Sequence, residues 1–115
     1  MTLKKDNVII IKKIKLANTY FKRFIGLMFE NKKKFNYALI FSFPKESRIS
    51  CSLHMLFVFY PINVIFLDSN KRIVDIKTNF KPFTMYSTSK KCRYLIELPE
   101  KIDKKYYSLG NSINW

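Results

Sequence analysis

The sequence predicts a mainly β domain with a minor helical part: a compact, single-domain, barrel- or sandwich-like sheet with one short helix after the first strand. Three observations carry this expectation. Runs rich in β-branched and aromatic residues recur along the chain, at Val8–Ile11, Tyr37–Phe43, Leu53–Leu67 and Cys92–Leu98, and such residues suit a pleated, packed surface. Leu53–Leu67 and the further run Arg72–Lys77 flank Asp68-Ser69-Asn70-Lys71, where Asp68 can bond its own backbone and Asn70 tolerates left-handed dihedrals, so a hairpin is predicted there. Finally, 115 residues with 48% hydrophobic and 17% aromatic content hold one core, spanning 1–115, and leave no room for a second.

In chain order, Asn7–Leu16 predicts a strand, with Val8-Ile9-Ile10-Ile11 followed by Ile14 and Leu16 between lysines. Those lysines mark an exposed edge that discourages intermolecular pairing. Asn18 or Thr19 then caps the helix, because either side-chain oxygen can accept from an orphan backbone N–H. Through Phe29, the residues Phe21, Phe24, Ile25 and Met28 recur at helical spacing and are expected to face the sheet. Gly26 costs a helix interior about 1 kcal/mol relative to Ala, which predicts close packing or an early helix end. Glu30–Asn36 is a polar, basic loop, Tyr37–Phe43 a strand ending at Pro44, and Lys45–Arg48 a connector.

The rest of the chain is organised around Leu53–Ile76. Leu53, Met55, Phe57 and Phe59 alternate with His54, Leu56, Val58 and Tyr60. Both faces are apolar apart from His54, the pattern of a strand buried on two sides, so Phe57 is expected in the core together with Phe66. Pro61 cannot donate to a ladder and predicts a bend. Ile62–Leu67 resumes as a strand, and Arg72–Lys77 returns from the hairpin turn. Thr78–Lys91, with Pro82 and several Ser and Thr residues, is the least regular stretch. It reads as a surface loop, either a binding element or a mobile insertion. Cys92–Leu98 is a further strand stopped by Pro99, Glu100–Ser108 a charged connector, and Asn111–Trp115 a short closing strand.

A net charge of +14 raises the question of nucleic acid or another polyanion. The lysine pairs and triplets are spread over the whole chain, arginine is limited to Arg23, Arg48, Arg72 and Arg93, and no helix-turn-helix or zinc-finger spacing is present. Solvated surface lysine is therefore the leading reading, and an anion-binding face the alternative. Two cysteines, Cys51 and Cys92, make no metal site by themselves. Met1–Asp6 is polar and Val8–Ile11 too short for a signal core, so a cytoplasmic chain with free thiols is expected. Ile49–Leu67 is uncharged and long enough to cross a bilayer. Its Ser50, Ser52, His54, Pro61 and Asn63, and its β-branched enrichment, fit strands instead, so no transmembrane segment is expected.

Several stretches carry a resemblance. Leu53-His54-Met55 with Phe57, Tyr60-Pro61-Ile62-Asn63-Val64-Ile65-Phe66-Leu67-Asp68 and Ile73-Val74-Asp75-Ile76 resemble the central signature of domain-of-unknown-function family one hundred and ninety-two. Ala17-Asn18-Thr19 with Arg23 and Gly26-Leu27-Met28 is similar to that family's opening motif. Ala38–Pro44, Tyr94–Pro99 and Leu109–Ile113 are similar to its later ones. The chain departs from the pattern at Asn63 and Asn111, where the family has Asp, and at Lys71, where its turn has Gly. The resemblance implies a small, mainly β domain with one short helix, and brings no established activity or catalytic residues. It also implies that Arg23 and position 63 lie together and tie the helix to the hairpin. Exported members of the family keep a Cys51–Cys92 disulfide open as the alternative to free thiols.

Candidate chemistry is sparse. His54 is the only histidine and hence the only ordinary base of near-neutral pKa. A dyad with Cys51 would need a bend, because residues three apart on a strand point to opposite faces. Asp75 and Glu97 are isolated in sequence, and no phosphate-binding glycine loop, serine elbow or carboxylate pair is present. No catalytic set, metal or cofactor is therefore assigned. The leading expectation is a non-enzymatic module that binds a small ligand or a protein through Arg23, His54 and Asn63. Polyanion binding through lysines is the alternative, and a small enzyme using His54 the second alternative. Oligomeric state is open.

Overall fold

The structure, a computed structural model, describes residues 2–17, 19, 26–47, 52–55 and 57–115, with backbone alone at 47 and 52–54. Strand accounts for 49% of it and helix for 6%, which places the fold in the mainly β class. Nine strands are described: β1 (Leu3–Lys5), β2 (Val8–Ile11), β3 (Ile14–Ala17), β4 (Ala38–Ser47), β5 (Ser52–His54), β6 (Ile62–Leu67), β7 (Ile73–Phe80), β8 (Met85–Ser87) and β9 (Cys92–Pro99). Five of them form the main sheet in the order β3-β4-β9-β6-β7, while β1-β2 and β5-β8 are separate two-stranded sheets. The main sheet is open, so the barrel-like closure allowed by the sequence does not occur.

β9, late in the chain, is the middle strand, antiparallel to both β4 and β6. Its alternation defines two cores. Leu95 joins Leu39, Phe41, Val64 and Phe66 on the first face. Ile96 and Leu98 join Ile40, Ile65 and Leu67 on the second. Loops carrying Leu27, Phe35, Met55, Val58 and Tyr60 cover the first face. Leu3, Ile10 and Ile11 from the β1-β2 hairpin, with Tyr107 and Ile113 from the C-terminal segment, cover the second. A sheet covered on both sides has no polar face, which is why β6 is buried at every position.

Several expectations require correction, among them the surface loop Thr78–Lys91, which contains the end of β7 and all of β8. The helix after the first strand is not supported: Gly26–Phe29 forms turns, with φ of +50° at Gly26 and +62° at Phe29, and residues 20–25 lie outside the described part. The predicted strand Asn7–Leu16 is broken at Lys12-Lys13 into β2 and β3, and β2 pairs back on β1 across a turn in which Asp6 takes a left-handed φ of 55°. The predicted strand Leu53–Tyr60 is regular only over β5; Phe57 has φ +57° and is 42% exposed, so it is not core, whereas Phe66 is fully buried. Lastly, Cys92 is disulfide-bonded rather than a free thiol; the chain's other cysteine, Cys51, falls outside the described residues.

At the hairpin turn Asp68 bonds its own backbone as the sequence predicts, but the left-handed position falls one residue later than the expected Asn70. Asp68 Oδ1 accepts from the N–H groups of Asn70 and Arg72 at 2.9 and 3.0 Å. The left-handed residue is Lys71 (φ 61°), the position where the family turn has Gly. β4 runs through Pro44 because its pairing with β9 is interrupted between Ser42 and Ser47, so no ladder donor is missed there.

Candidate ligand pocket around Tyr60

Glu97 is the outlier in an apolar strand. β9 sets it opposite Leu39 on one side and Val64 on the other, on the first face of the sheet, and it is 3% exposed. Among the described residues its Oε1 has no hydrogen-bond partner. Burial pushes the carboxyl up to about 8, so the protonated form, which can donate, dominates at neutral pH. Gly26 faces this carboxyl: a Cβ there would stand 3.9 Å from Oε1 and 3.3 Å from the ring of Phe41.

Three further polar groups share this region. Tyr60 is 5% exposed, and among the described residues its buried hydroxyl is also without a partner. Burial first, then the charges of Glu30 and Glu97, push its phenol up to about 12. Tyr37 donates from its hydroxyl to Glu30 Oε2 at 2.7 Å. Burial and that bond hold the Tyr37 phenol far above its ordinary range. Phe35 packs between the two tyrosines, 5.1 Å from the ring of Tyr37 and 6.0 Å from that of Tyr60. The short 3-10 turn Lys32–Lys34 positions Phe35, and Asn31 caps that turn by accepting from Lys33 N–H at 2.9 Å.

Phe35 and Tyr60 of this group also line a pocket of about 420 Å³. Phe35, Tyr60, Pro61 and Pro99 form its apolar wall, and Lys32, Lys33, Glu100 and Lys101 form its rim. The volume and the mixture of aromatic wall with few polar groups suit a small organic ligand.

The residues singled out in the sequence lie elsewhere or outside the description. Arg23 falls outside it. His54 is described by its backbone, paired with Met85 across β5 and β8. Asn63 is fully buried; its Nδ2 donates to the hydroxyl of Tyr107 at 2.9 Å and its Oδ1 accepts from Asn79 N–H at 3.0 Å. Tyr107 belongs to the second core, so Asn63 and Glu97 serve opposite faces. Asp75 accepts from the hydroxyls of Tyr86 and Thr88, both at 2.7 Å, and so ties β7 to β8 and the segment after it. Glu97 and Tyr60 were missed as a site. The available signal was a carboxylate within Tyr94–Pro99, where alternation puts every neighbour into a core. Among the described residues, no three His, Cys, Asp or Glu side chains gather as a metal site.

A sequence model of DUF192, described as an uncharacterised ACR family, matches residues 1–115. The chain belongs to that family. Curated relatives carry the UPF0127 name. The one from Pyrococcus horikoshii is 42% identical over 103 residues, covering 89% of this chain and 86% of its own. That of Thermococcus kodakarensis is 47% identical over 104 residues, covering 90% and 64%. That of Thermococcus sibiricus is 41% identical over 104 residues, so this DUF192 chain spans 66% of that relative's length. Two solved structures share the fold. One, a proposed transcription regulator of Sinorhizobium meliloti 1021, has a TM-score of 0.78 at 21% identity, covering 88% of this chain and 79% of its own. The other, a protein of unknown function from Novosphingobium aromaticivorans, has a TM-score of 0.75 at 20% identity, covering 89% and 74%. Among the described residues of this DUF192 domain, no helix is long and apolar enough to cross a membrane.

Proposed function

We propose that this DUF192 domain is a non-enzymatic binding module that takes a small aromatic or alicyclic anion in the Tyr60 pocket. Tyr60 carries this reading: it lines the pocket, and among the described residues its buried hydroxyl has no partner. A buried polar group without a partner is costly, and a ligand oxygen would satisfy it. Phe35, Pro61 and Pro99 offer an apolar wall to the ligand body, and Lys32, Lys33 and Lys101 offer charge to an acidic substituent. Titration calorimetry with benzoate and phenyl phosphate tests it. Tyr60→Phe keeps the ring and removes the hydroxyl, and should weaken binding by about tenfold. Absence of binding by the parent chain, or equal binding by Tyr60→Phe, would overturn the assignment.

The alternative is binding of nucleic acid or another polyanion. The chain carries 14 more basic than acidic side chains, and among the described residues one ion pair is present, Lys105 with Asp103 at 4.0 Å and both exposed. The Sinorhizobium neighbour adds a fold-level analogy and no more. If lysines neutralise phosphates together, log affinity for a random duplex should fall linearly with log salt. No binding at low ionic strength would remove this reading.

A further inference from the structure

We infer that the end of the domain carrying Phe29, Phe57, Phe59, Phe83 and Met85 docks on an anionic lipid surface. Exposure of these large apolar side chains runs from 42% at Phe57 to 77% at Met85. The four rings form one patch, with Met85 two residues beyond Phe83 in sequence. Phe29 stacks on Phe57 at 4.8 Å, Phe57 meets Phe83 edge-on at 6.1 Å, and Phe83 meets Phe59 at 5.4 Å. An exposed apolar patch of this kind marks an interaction surface more often than scattered single residues do.

The rings come from three stretches of chain that the backbone ties together. Phe29 N–H donates to the carbonyl of Phe57, Phe83 N–H to that of Met55, and Met55 N–H to that of Thr84, each at 2.8 Å. Phe29, Phe57 and Phe83 all hold positive φ, at 62°, 57° and 58°. Residues with a Cβ disfavour that region. The fold therefore sustains three unfavourable backbone conformations at the residues whose rings it exposes, which is a pattern of interaction sites.

Charge selects the occupant. From Lys77 to Ile96 the sequence contains no acidic residue, while Lys77, Lys81, Lys90, Lys91 and Arg93 are cationic. Lys77 and Lys81 line a cleft together with Met85, so cations adjoin the patch directly. Phenylalanine and methionine tips flanked by lysines match the boundary between acyl chains and acidic headgroups. Binding of a single nucleic-acid strand would need open ring faces for the bases, whereas the Phe29 and Phe57 rings cover one another.

Cosedimentation of the full chain with vesicles tests the inference, using phosphatidylcholine alone and an equal mixture with phosphatidylglycerol. The parent chain should bind the mixed vesicles at least about tenfold more strongly than the neutral ones, and less at high salt. The double variant Phe59→Ser, Phe83→Ser should lose about tenfold in affinity for mixed vesicles while keeping the parent melting temperature. If that variant melts early, Met85→Ser, at a more exposed position, serves in its place. Failure of the parent chain to bind mixed vesicles would overturn the inference. So would unchanged binding by the apolar variants, which would mean charge attraction alone. Self-association, or binding of a single-stranded oligonucleotide, that depends on Phe59 and Phe83 without vesicle binding would reassign the patch and overturn it equally.

Discussion

Asn63 donates from Nδ2 to the hydroxyl oxygen of Tyr107 at 2.9 Å, joining the fully buried strand β6 to the segment that closes the second core. The same side chain accepts from the N–H of Asn79, a residue held at φ 50°. Asn63→Ala would orphan the buried Tyr107 hydroxyl and remove the part-buried bond from Asn79 N–H, and should cost about 1–3 kcal/mol. A double-mutant cycle with Tyr107→Phe, read by denaturant unfolding, should return a coupling of about 1 kcal/mol. Zero coupling would mean that the bond adds nothing to stability.

Glu97 should make the domain more stable in mild acid than at slightly alkaline pH. Burial holds the folded carboxyl at about 8, while the unfolded one titrates near 4.3. Between those values the folded state binds more protons, so stability is complete below the unfolded pKa and is lost as pH rises through the folded one. The contribution amounts to about 3 kcal/mol between pH 5 and 8. Glu97→Gln should flatten this part of the profile of melting temperature against pH. An unchanged slope in the variant would assign the dependence to another group.

Phe66 and Phe57 should respond very differently to truncation. Phe66 is fully buried, and Phe66→Ala should cost about 3–5 kcal/mol, enough to unfold a marginal domain. Phe57 is 42% exposed, and Phe57→Ala should cost less than about 1 kcal/mol. Parallel thermal melts check the pair; similar losses for both would mean that the Phe57 ring is held by the core after all.

Lys71 balances two opposed effects. Its φ of 61° is unfavourable for a residue with a Cβ, yet its Nζ sits 3.8 Å from the centre of the Trp115 ring. A cation over an exposed aromatic face is worth about 0.5–1 kcal/mol. Lys71→Gly alone should therefore shift stability by less than about 1 kcal/mol. In a Trp115→Ala background the same change should stabilise by about 1 kcal/mol. Additive effects of the two substitutions would exclude the ring contact as the compensation.

The sequence by itself determined what is encoded within a few neighbouring residues. Asp68 and its two backbone partners lie within five positions, so the hairpin turn was legible, as were the ends of β6 and the stop of β9 at Pro99. Composition and alternation were enough for the mainly β class and for the burial of Phe66. Tertiary structure decided which strands are neighbours. β3 and β4 pair in parallel, and β9 enters between β4 and β6, through contacts between residues far apart in sequence. That placement sets Glu97 in the middle of the sheet and brings it into electrostatic range of Tyr60 and Tyr37, so a carboxylate that is isolated in sequence is clustered in space. It also decided that Phe57 faces outward. A left-handed φ interrupts the period of two, and hydrophobicity alone cannot tell a buried ring from one that a turn directs into solvent.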